Sequence, residues 1–112
     1  MSEEKVSSSS ENADDNEIVK ELILNGLHSQ MVVLVFLYKV GKATLSDIQR
    51  ALTGGKYRAQ YNWTLSIISE LKNLDLIYED QILIKEKVRV RLFDLTEKGR
   101  RIARKLSEIL QL

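Results

Sequence analysis

The sequence predicts a mainly α-helical domain that carries one small β-hairpin. Three observations predict it. From Tyr57 to Leu76, YRAQYNWTLSIISELKNLDL, apolar residues recur at spacings of three and four, with Leu65, Ile68 and Leu71 on one face beside Lys72. After Leu76 the period drops to two, and IYEDQILIK and VRVRLFDLT alternate as strands do, joined near Lys85-Glu86-Lys87. The final stretch, TEKGRRIARKLSEILQ, returns to the helical period.

Composition narrows the class. The chain has 112 residues, 44% hydrophobic and 29% charged, which suits one soluble domain with a modest core. Its most apolar stretch, MVVLVFLYKV, is too short to span a membrane, and the acidic, Ser-rich start lacks the basic and apolar regions of a signal peptide. A cytoplasmic, DNA-associated protein is the expectation, with no membrane partner. Zero Cys and one His leave no disulfide, no thiolate site and no cofactor or metal set. Abundant Lys and Glu without Cys point weakly to a hyperthermophile, hence archaeal, source. The net charge of +1 hides a split: six carboxylates against Lys5 give residues 1–17 a charge of −5, which leaves +6 for residues 18–112. A basic domain with an acidic tail fits a nucleic-acid binder, and equally an ordinary domain with a solubilising tail.

Residues 1–15, MSEEKVSSSSENADD, hold almost no apolar side chains and read as a disordered acidic tail. Residues 16–112 form the domain. Residues 16–27 read as a helix capped by Asp15 or Asn16 and ended by Asn25-Gly26, with Ile18, Val19, Leu22 and Ile23 apolar. Residues 29–40 start at Ser29 as cap. Their valines allow a strand, but the apolar run exceeds strand length and favours a buried helix ending at Gly41. Lys42-Ala43-Thr44 reads as a short strand. Residues 44–53 form a helix capped by Thr44 or Ser46, with Leu45, Ile48 and Leu52 inward and Gln49 and Arg50 outward. Gly54-Gly55 makes a turn, and the next helix starts anywhere from Lys56 to Tyr61. In residues 96–111, Thr96 caps and Ile102, Leu106 and Ile109 line one face beside Ala103 and Leu110. Lys98, Arg100, Arg101, Arg104 and Lys105 cover a face expected to be solvated, and His28 falls in a loop.

Helix, helix, Gly-containing turn, helix, hairpin, helix is the order of a winged helix-turn-helix. Two motifs add to the order. LKNLDLI at residues 71–77 resembles the Leu-x-x-x-Gly-Leu-Ile end of the recognition helix in MarR- and PadR-type regulators, and RLFDLTEKGR at 91–100 resembles the end of their wing. The resemblance covers residues 29–103. Two departures stand out: Asp75 replaces the usual Gly, and the turn TGGKYRAQ is long.

The resemblance implies a dimer that binds double-stranded DNA, with the helix at 57–74 in the major groove and the wing at 78–95 on the backbone or minor groove. Gln60, Tyr61, Asn62, Trp63 and Ser66 match groove-facing positions, where Asn pairs with adenine and apolar groups touch thymine methyls. Trp63 is as readily a packed ring. Lys56, Tyr57 and Arg58 suit phosphate contacts at a helix start, against the alternative of a solvated turn. Lys85, Lys87, Arg89 and Arg91 form the wing, where they either track phosphates or protect an edge strand from aggregation. Ile18, Leu22, Ile23, Ile102, Leu106, Ile109 and Leu110 on the terminal helices are the candidate homodimer interface. A transcriptional regulator is the leading expectation. Winged-helix adaptors in plasmid partition, division or replication complexes share the pattern, and there the aromatics would anchor a protein partner and the acidic tail would recruit one. An enzyme is not expected: there is no Cys–His or Ser–His pair, and Gly54-Gly55-Lys56 lacks the upstream Gly of a phosphate-binding loop.

Overall fold

The segment MVVLVFLYKV folds as a helix and becomes the centre of the protein. In this computed structural model, which describes the backbone of residues 3–84 and 88–110 and the side chains of residues 14–82 and 90–110, α2 spans His28–Val40. Val33, Leu34 and Leu37 have no exposed surface. Valine costs a helix roughly 0.5 kcal/mol against alanine, while burying a branched side chain contributes about 1.5–3 kcal/mol, so burial overrides β-propensity. The helix begins at His28, not at a Ser29 cap, and no side chain caps it. His28 is thus an exposed first helical residue and not a loop residue.

The other elements are α1 (Glu3–Leu24), β1 (Ala43–Thr44), α3 (Leu45–Ala51), α4 (Tyr61–Asn73), β2 (Ile77–Ile84), β3 (Val88–Leu95) and α5 (Glu97–Leu110). The strands pair antiparallel in the order β1-β3-β2, with Ala43 opposite Phe93 and Ile77 opposite Leu95. This is the mainly helical architecture with a hairpin wing that the sequence predicts. Thr44 caps α3 as expected, in a reciprocal box: its hydroxyl accepts the Asp47 N–H at 3.2 Å, and the Asp47 carboxylate accepts the Thr44 N–H at 3.1 Å. Ile48, Ile68, Leu71, Leu76, Phe93, Ile102 and Leu106 close the core around α2.

The first helix departs from expectation. Its backbone is helical from Glu3, across most of the stretch expected to be disordered, and no Pro or Gly interrupts residues 3–15. Asp15 is not a cap. It is 1% exposed and accepts from Arg101 Nε at 2.8 Å. Asp14 pairs with Lys98 at 2.9 Å, and the Asn16 side chain accepts from Lys105 at 3.0 Å. The basic face of α5, expected in solvent, is therefore turned partly onto α1.

One junction locks α4, the sheet and α5 together. At the end of α4 the Leu76 N–H donates to Leu71 O at 3.0 Å and the Asp75 N–H to Lys72 O at 2.9 Å, a Schellman motif with Leu71 and Leu76 both buried. Asp75 sits at φ 60, in the left-handed region where the resembled families carry Gly. The Thr96 hydroxyl donates to Asp75 O at 2.6 Å and accepts the Gly99 N–H at 2.9 Å. The Thr96 N–H donates to Leu76 O at 3.0 Å. Leu-Asp-Leu and Leu-Thr-x-x-Gly are thus two halves of one joint. Asp75→Gly relieves a left-handed cost of about 1 kcal/mol and loses part of that to glycine's extra chain entropy. Chemical denaturation should show a gain of roughly 0.5 kcal/mol, and a loss would contradict the strain assigned here.

Candidate nucleic-acid interface

The long turn before α4 is a built structure. Gly54 and Gly55 adopt φ 67 and 86, which a side chain would strain. The Gly55 and Thr53 N–H groups both donate to Arg50 O, at 2.8 and 3.1 Å. The Thr53 hydroxyl accepts the Tyr57 N–H at 3.2 Å and donates to the Tyr57 carbonyl. Gln49, expected on the outer face, is buried: its Nε2 donates to Ala59 O at 2.8 Å, and the Ala59 N–H returns to Gln49 O at 3.0 Å. Helical periodicity placed Gln49 outward because it cannot show that a loop folds back over that position.

This bracket sets the start of α4 at Tyr61, not Tyr57. Gln60 is the cap, its Oε1 accepting the Trp63 N–H at 2.7 Å, while the Thr64 hydroxyl donates to Gln60 O at 2.9 Å. The helix buries Thr64, Ile67, Ile68 and Leu71, and Leu65 from the expected stripe is only half-buried. The inward face turns slightly, and a polar face is left outward. Tyr57 is 64% exposed, Tyr61 51% and Trp63 45%, so none of these rings belongs to the core. Lys56, Arg58, Gln60, Asn62 and Ser66 are exposed beside them. Arg50, Lys56 and Arg58 form no ion pair among the described residues. Leu52, Tyr57, Ala59 and Trp63, with Lys56 and Gln60, line an open cavity of about 470 Å³.

The wing forms where the sequence predicts, as β2 and β3. Lys85 and Lys87 lie outside the described residues, as does the side chain of Arg89. Arg91 is not a free cation. Its Nε and Nη2 bond the Glu79 carboxylate at 2.6 and 3.0 Å, and its guanidinium stands 5.4 Å from the centre of the Phe93 ring. Lys72 of α4 reaches the same carboxylate at 3.0 Å. Alternation puts both Arg on one face, but it does not show that Glu79, diagonal to Arg91 across the hairpin, fills that face. Tyr78 and Ile82 lie on the opposite, solvent face, 42% and 43% exposed.

The hydrogen bonds from Arg91, and then from Lys72 and Gln81, hold the Glu79 carboxyl well down, at about 2 against burial that works the other way. A carboxyl depressed on folding stabilises fully above its unfolded value near 4.5, and that stability is lost as the pH falls toward 2. The shift bounds the effect at about 3 kcal/mol, and solvent around the half-exposed Lys72 and Arg91 lowers it. Glu79→Gln should flatten the stability–pH curve between pH 4.5 and 2. An unchanged curve would remove this assignment.

The terminal helices are already occupied in one chain. Ile18, Leu22, Ile102 and Leu106 are buried in its own core. Of the candidate interface residues, those left exposed in one chain lie at the helix ends. Ile23 is 36% exposed, Leu24 72%, Ile109 57% and Leu110 39%. Among the described residues no helix is long and apolar enough to cross a membrane.

No family model matches the sequence. No curated protein matches it either. Solved structures do. A ZitR mutant from Lactococcus lactis superposes with a TM-score of 0.62 at 20% identity, over 75% of this chain and 52% of that one. A PadR-like transcription factor from Bacteroides fragilis gives 0.60 at 20% identity, over 83% and 88%. Bacillus subtilis PadR in complex with operator DNA gives 0.53 at 15% identity, over 67% and 44%. The chain thus spans about half the length of the ZitR and PadR chains. At these identities the likeness is one of fold, and on that footing the chain is a winged helix-turn-helix protein.

Proposed function

We propose that the chain binds double-stranded DNA as a homodimeric transcriptional regulator. Its recognition helix, α4, enters the major groove, and the wing lies on the backbone or minor groove. One observation carries the reading. The loop and first two turns of α4 present Asn62, Ser66 and three exposed rings, flanked by Arg50, Lys56 and Arg58, which have no carboxylate partner among the described residues. Unpaired cations beside a polar helix start suit phosphates, while the Asn and ring edges suit bases. That a fold neighbour, Bacillus subtilis PadR, is seen in complex with operator DNA supports DNA binding as the activity. Ile23, Leu24, Ile109 and Leu110 supply the dimer contact, so that two α4 helices read half-sites about one DNA turn apart.

Selection of bound fragments from random duplex DNA, with the mass of the complex, tests this reading. A palindromic site held by two chains is expected. A second reading follows from Tyr57, Tyr61 and Trp63 beside the 470 Å³ cavity, which would suit a protein partner in a DNA segregation, division or replication assembly. A stable protein complex with no duplex binding at low salt would favour that reading over ours.

A further inference from the structure

The two ends of α4 face opposite electrostatic conditions. At its start, Arg50, Lys56 and Arg58 form no ion pair among the described residues. At its end, Lys72 and the wing residue Arg91 converge on one carboxylate, Glu79, whose side chain is 14% exposed. The chain Lys72–Glu79–Arg91 therefore ties the wing to the end of α4.

Resting on the DNA-binding reading above, we infer that Arg91 is a positioning residue that sets the angle between wing and recognition helix, and that Glu79 keeps Arg91 and Lys72 off the DNA. Two magnitudes decide between this and a phosphate contact by Arg91. The guanidinium already makes two charge-assisted bonds to a mostly buried carboxylate, and the Phe93 ring lies beside it. Moving it to a phosphate would exchange that paired geometry for a single exposed one and leave Glu79 charged and half-satisfied, which costs more than a solvated contact gains. With Lys72 and Arg91 both on one carboxylate, the cluster at the wing base has a net charge of +1 where two free cations would give +2, while Lys56 and Arg58 keep their full charge. Glu79 thereby lowers non-specific attraction at the wing base relative to the start of α4.

The salt dependence of duplex binding separates the roles, because each phosphate contact contributes about 0.9 to the slope of log affinity against log salt. The full chain is compared with Glu79→Gln, Arg91→Gln and Arg58→Ala on a random duplex and on a selected site, with thermal midpoints confirming that each variant is folded at the assay temperature. Glu79→Gln should steepen the slope by about one to two units per chain of the dimer and raise random-duplex affinity several-fold, so that the ratio of specific to random binding falls. Arg91→Gln should leave the slope unchanged and weaken the selected site alone. If Arg91→Gln flattens the slope by about 0.9 per chain, or Glu79→Gln leaves the slope and random-duplex affinity as they were, the inference is overturned. The Arg58→Ala arm isolates the underlying reading: wild-type chain that binds no duplex with salt dependence, or an Arg58→Ala slope equal to wild type, refutes the reading itself and this inference with it.

Discussion

Gly99→Ala is expected to destabilise the protein by about 3 kcal/mol. In an open helix the same change stabilises by roughly 1 kcal/mol, because alanine is the better helix former. Here a Cβ at Gly99 would stand 1.8 Å from Leu76 O, 2.8 Å from Leu76 C and 3.1 Å from Leu76 Cα. All three are backbone atoms, so no side chain can swing aside. The displaced residue is the one that closes the Schellman motif of α4 and accepts the Thr96 N–H. A shift of Leu76 therefore reaches α4 on one side and α5 on the other. Calorimetry should show a fall in melting temperature of roughly 10–20 °C. A midpoint within a degree or two of wild type would mean that the joint between residues 76 and 99 is looser than described.

Gln49→Leu ranks second and separates folding from function. The side chain is 8% exposed, and its amide satisfies the carbonyl of Ala59, itself a buried residue. Leucine fills the volume but cannot donate, and an unsatisfied buried carbonyl costs about 1–3 kcal/mol. The change also releases the bracket that fixes where α4 begins. Affinity for a selected site should fall about tenfold or more, while random-duplex affinity, carried by Lys56 and Arg58, should change little. Equal losses on both duplexes would show that Gln49 supports stability alone.

The parts of the fold that were legible in the sequence are those fixed by local signals. Thr44 and Asp47 build their capping box within one turn, Thr96 caps α5 in the same way, and the switch from period three-four to period two marks β2 without any long-range knowledge. The placement of Tyr61, Asn62, Trp63 and Ser66 on the open side of α4 followed from the resemblance to winged-helix regulators. What stayed hidden depends on partners far along the chain. Asp15 looked like a cap because Arg101, its partner in space, lies 86 residues away. Gln49 looked exposed because a ten-residue fold-back supplies its carbonyl. Arg91 looked free because alternation assigns a face without saying what else occupies it. Ile102 and Leu106 looked available to a second subunit because an amphipathic stripe is the same whether its partner is intramolecular or not. Asp75 departs from the resembled motif in identity but not in conformation, since it keeps the left-handed backbone that glycine would supply.

The account rests on the start of α4 as the surface that meets phosphates. The direct measurement is duplex affinity across a salt series for the full chain and for the Lys56→Ala/Arg58→Ala double variant. Neither side chain has an ion-pair partner to lose among the described residues, so folding should be unaffected. With two phosphate contacts removed from each chain of the dimer, the slope of log affinity against log salt should flatten by about 3.6, and binding should weaken by the same factor on selected and random duplexes. A double variant whose affinity and slope both match wild type would contradict the account.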